Sequence, residues 1–65
     1  MTNPRLPRVT YEVTWTFREN PDVTPYTETL LASSATRAIS QAARDILNTW
    51  GSPKREVLFL EVRML

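Results

Sequence analysis

Apart from two tyrosines and the chain termini, seven carboxylates and eight cationic side chains are all the ionisable chemistry in this 65-residue chain. It has neither histidine nor cysteine. A Ser-His-Asp triad, a thiol nucleophile, a haem site or a zinc hydrolase would each need a missing residue type. The acids Glu12, Glu19, Asp22, Glu28, Asp45, Glu56 and Glu61 fall at no spacing that would gather metal ligands. Glu19 and Asp22 sit in a proline-bracketed turn, where solvation is the ordinary state. Glu28 alone is drawn toward an apolar face, where desolvation would raise its pKa. One glycine cannot supply a phosphate-cradling loop. The composition therefore points away from an enzyme and implies no cofactor and no metal.

What remains is binding. Arg37, Gln41 and Arg44 recur at i, i+4 and i+7, so on a helix they share one side and could grip phosphates or a partner's carboxylates. The net charge of +1 gives no strong electrostatic drive toward nucleic acid and argues equally against a DNA mimic. Pro4-Arg5-Leu6-Pro7 matches a P-x-x-P ligand pattern.

These side chains need elements to position them. Residues 1–7, with two prolines and no periodicity, read as an extended or disordered arm before a single domain over 8–65. Strict alternation then sets Val9, Tyr11, Val13, Trp15 and Phe17 on one face of a strand and threonines, Glu12 and Arg18 on the other. Turn chemistry from Glu19 to Pro25 leads to a second strand, Tyr26 to Ala32, with Leu30, Ala32 and Glu28 placed inward. Ser34 is the expected cap of a helix whose apolar stripe runs Ala35, Ala38, Ile39, Ala42, Ala43, Ile46, Leu47 and Trp50. Gly51 ends it and Pro53 prevents its resumption. In the last strand, alternation puts Leu58, Leu60, Val62 and Met64 inward and Val57, Phe59, Glu61, Arg63 and Leu65 outward.

The expected fold class is α+β, β-β-α-β, with one helix packed on a three-stranded antiparallel sheet of order 2-1-3. If paired residue numbers on strands one and three sum to 75, Glu12 faces Arg63, Trp15 faces Leu60 and Phe17 faces Leu58. Shifting by two residues would oppose like charges, so this register is preferred.

A chain of this size buries only roughly 60% of its unfolded surface, and the disulfide and metal that staple many mini-domains are absent. Self-association is the remaining staple. The expectation is a protein-interaction module that forms a homodimer through the third strand, a long edge without Pro, Lys or Gly to discourage pairing. Its partner-binding residues would be Leu31, Val57, Phe59, Arg63 and Leu65, an apolar patch with an arginine at its rim. A heterologous protein partner is the other candidate occupant. The alternative is a small nucleic-acid-binding protein using Phe59 on the open sheet face with Arg18, Arg37, Gln41, Arg44 and Arg55. The longest apolar run, Val57 to Leu60, is too short for a membrane span, and the start of the chain has no secretory pattern, so a cytoplasmic location is expected. In length and element order the chain resembles the small β-β-α-β accessory proteins encoded by phages and other mobile elements, which implies binding of a host protein.

Overall fold

The computed structural model describes residues 7–65. The arm expected over residues 1–7, including most of the P-x-x-P pattern, lies outside that range except for Pro7. Strand β1 (Val9–Phe17) is followed by β2 (Tyr26–Ala32), helix α1 (Ala35–Trp50), a single 3-10 turn (Lys54–Glu56) and β3 (Val57–Met64). The sheet order is β2-β1-β3, with both neighbouring pairs antiparallel. One helix on one three-stranded sheet is the architecture that the alternating and helical patterns require.

β1 occupies the centre because it carries the largest apolar side chains, and its inward face meets both neighbours. Val13 and Trp15 are buried, and Tyr11 and Phe17 pack against them. The helix covers this face with Ala38, Ala42 and Ile46. Two small side chains there let the backbone approach the sheet closely, which leaves space for the indole of Trp15. The Ser34 hydroxyl accepts the Arg37 backbone N–H at 3.2 Å, and Gly51, at φ 72°, donates to the Leu47 carbonyl. Gly51 thus satisfies a last-turn carbonyl in a conformation that any side chain would strain.

Strand β2 follows the expected facing. Leu30 sits opposite Tyr11, Glu28 opposite Val13 and Ala32 opposite Val9, all on the helix side, while Leu31 points to the open face. Leu47, expected in the buried stripe, is half exposed at its flank.

Strand β3 departs from the expected register halfway along. Glu12 does face Arg63, and their side chains pair at 2.8 Å. Between Thr14 and Trp15, however, the register slips by one, so Trp15 faces Phe59 and Phe17 faces Val57. Leu60 is the extra residue of this bulge. Val57 and Phe59, expected outward as partner-binding residues, are therefore on the helix side, Val57 buried and Phe59 packed against the core. Leu58 and Leu60, expected inward, sit opposite Thr16 on the open face and at the bulge respectively. The cause is a choice between two apolar pairs. A slip of one replaces Leu58 and Leu60 by Val57 and Phe59 beneath the helix, burying a ring beside Trp15. The Glu12–Arg63 pairing and inward Val62 are kept below it.

Trp15 is the node of this packing, so Trp15→Ala should cost about 3–5 kcal/mol, as much as one small core supplies. Its indole Nε1 is buried without a hydrogen-bond partner. Trp15→Phe, which removes that orphaned donor, should lose much less. Thermal melts followed by circular dichroism check both: Trp15→Ala unfolded at room temperature, Trp15→Phe cooperatively folded.

Candidate functional site

The structure divides the expected binding residues among separate surfaces. Leu31 and Arg63 lie on the open sheet face, Leu31 exposed and Arg63 held by Glu12. Leu65, 60% exposed, hangs at the end of β3 with its backbone N–H donated to the Thr10 carbonyl. With Val57 and Phe59 turned inward, the open face has Leu31 and Leu58, with Leu65 at its end, as its large apolar groups among the described residues. Among those residues it presents no ring on which bases could stack.

The arginines do not converge either. Arg37 and Gln41 line a shallow cleft at the start of the helix together with Arg8, Leu31, Ala32 and Ser33. Arg18 and Arg55 stand at the opposite end of the sheet, where the Arg18 backbone N–H donates to the Glu56 carbonyl. Arg44 is exposed on the helix. Gln41 spends its amide on the Asp45 carboxylate at 3.0 Å. No continuous basic track runs between these groups among the described residues.

Two features go beyond what the sequence predicts. The first is the make-up of the β3 edge, itself expected: the bulge adds half-exposed Leu60 to Met64, 63% exposed, and Leu65. β3 pairs with β1 on one side only, so its outer backbone groups have no strand partner among the described residues. Nothing in a run of four apolar residues could have singled out Leu60 as the exposed one.

The second is a cluster of four rings at the loop end of the sheet. Trp15 stacks on Tyr26 at a centroid distance of 4.7 Å, and Phe17 and Trp50 meet both in edge-to-face geometry at 5.1–6.1 Å. Trp50 is half exposed because Gly51 stops the helix one residue later and no further turn covers the indole. Beside it opens a cleft of about 280 Å³ lined by Phe17, Glu19, Asn20, Trp50, Ser52 and Glu56.

Glu28 behaves as its inward placement requires. Its Oε2 is buried without a hydrogen-bond partner, and its pKa is raised to about 7. Burial is the main cause, followed by a hydrogen bond to Asp45 and repulsion from that second carboxylate. Among the described residues no cationic side chain pairs with either acid. Among the described residues no group of three or more acids could hold a metal ion, and no helix is long and apolar enough to cross a membrane.

No protein-family model, curated protein or solved structure matches this chain.

The Glu28 shift carries a pH dependence of defined sign. Because the folded-state value is raised from 4.5 to about 7, the contribution is fully present below pH 4.5 and is lost as pH rises to 7. Solvent reaches part of the side chain, so the loss should be about 1 kcal/mol, or about 4–8 °C in melting temperature. Glu28→Gln should match the wild type near pH 4 and melt higher at pH 8. Equal differences at both pH values would contradict the shift.

Proposed function

We propose that this chain is a non-enzymatic protein-interaction module that forms a homodimer by antiparallel pairing of two β3 edges. The observation that carries this reading is the free edge of β3 with Leu60, Met64 and Leu65 exposed along it. A two-fold axis at Leu60 brings the bend of one strand against the bend of the other, so both halves of the edge can pair. Such an axis makes the contact self-complementary. Edge pairing satisfies backbone groups that would otherwise invite non-specific strand addition, and it sets Leu60 beside its own copy with Met64 level with the Lys54–Glu56 turn of the partner. The resulting interface is small, which favours a dissociation constant in the micromolar range.

A host protein fits as the heterologous target, on the likeness in length and element order to phage and mobile-element accessory proteins. The nucleic-acid reading has less support, because the open face lacks a ring and the arginines lie at opposite ends of the sheet.

Equilibrium sedimentation tests the pairing. The wild type should be a dimer at tens of micromolar, where a Kd of about 1 μM leaves it mostly associated. Leu60→Lys with Met64→Lys should give a folded monomer, since both side chains are solvent-exposed. A wild type that sediments as a monomer overturns the pairing. Oligonucleotide binding that weakens steeply with salt would favour the nucleic-acid reading instead.

A further inference from the structure

The cleft beside Trp50 has a composition that selects one kind of occupant. Phe17 and Trp50, with ring centroids 5.5 Å apart, form its apolar wall, and Glu19 and Glu56 supply two carboxylates. Neither acid is spent on an ion pair: the one salt bridge among the described residues joins Arg63 and Glu12. Aromatic faces attract a cation, and carboxylates complement a guanidinium in particular, because its planar fork can stack on a ring while bonding an acid.

We propose that this cleft receives the N-terminal segment of a second copy of the chain, with Arg5 placed between the Trp50 ring and the Glu19 and Glu56 carboxylates. The inference rests on the β3 pairing proposed above. Its own cleft is out of reach for Arg5. Four residues separate Arg5 from Val9, which span at most about 14 Å. Val9 and Phe17 are the two ends of β1, about 26 Å apart.

Across the two-fold axis the distance is short. Tyr11 faces Met64, so Val9 lies level with a point just beyond the end of β3. An axis at Leu60 carries that level onto the Lys54–Glu56 turn of the other copy. From β1 of one copy to β3 of the other is two strand spacings, about 10 Å, within the reach of Arg5. Reversal of β3 about the axis thus places the start of one chain at the ring-lined end of its partner. Pro4 and Pro7 each fix their own φ, which lowers the entropy lost on docking.

Charge reversal in the full chain tests the exchange. Arg5→Glu and Glu56→Arg should each weaken dimerisation about tenfold, since the contact occurs twice per dimer, and the double variant should recover wild-type affinity. Sedimentation reads the affinity. Tryptophan emission reads the cleft and should shift on dimerisation in the wild type and the double variant, but not in Arg5→Glu. Dimer affinity unchanged by Arg5→Glu, or a loss that the double variant does not recover, overturns the exchange. If Leu60→Lys with Met64→Lys still yields a monomer in that case, the edge pairing stands and only the exchange fails. A monomeric wild type overturns the pairing and the exchange with it. A dimer indifferent to Arg5, whose tryptophan emission responds to an added arginine-rich peptide, overturns the exchange and assigns the cleft to another protein.

Discussion

The setting of Trp15, stacked on Tyr26 of one neighbouring strand and opposite Phe59 of the other, is the constraint on which the rest of this small domain depends. A sheet of three strands under one helix has little apolar area to bury, so its largest side chain must be enclosed from both sides. Bringing Phe59 opposite Trp15 requires one residue more in β3 than the Glu12–Arg63 register allows, and that residue is Leu60. The core thereby generates the exposed edge: a leucine that continuous alternation would have buried is left at the rim of the sheet. Core packing and the exposure of this edge are in this sense one problem, solved by one bulge.

Most of the architecture was legible from side-chain period. Nine alternating residues fix β1, and the alanine and isoleucine spacing fixes the helix between Ser34 and Gly51. Even the awkward placement of Glu28 beneath the helix follows from Leu30 and Ala32 on the same strand face. The phase of β3 was not legible. Val57, Leu58, Phe59 and Leu60 are all apolar, so either phase satisfies the pattern, and only the ring opposite Trp15 decides. Two residues read as partner-binding, Val57 and Phe59, moved into the core for that reason. Leu60 and Met64 came to mark the edge instead.

The ring cluster was half legible. Alternation put Trp15 and Phe17 on one face, but their meeting with Tyr26 and Trp50 depends on where the loop and the helix end, which periodicity does not specify. The polar side has the same character. The Glu28 carboxyl meets Asp45 because one sits at the edge of the sheet and the other at the flank of the helix, two elements distant in sequence. Both features lie where the single core thins toward solvent, so neither is set by the periodicity that fixes the core.

Amide hydrogen exchange along β3, followed by NMR at two protein concentrations, tests the central claim most directly. In a dimer joined at this edge, the outward amides of β3 lose solvent on association while those of the β2 edge do not. Edge pairing predicts that the outward β3 amides exchange several-fold more slowly at high concentration than at low, with β2 unchanged. Exchange at β3 that is independent of concentration, or protection that rises on β2 instead, would contradict it.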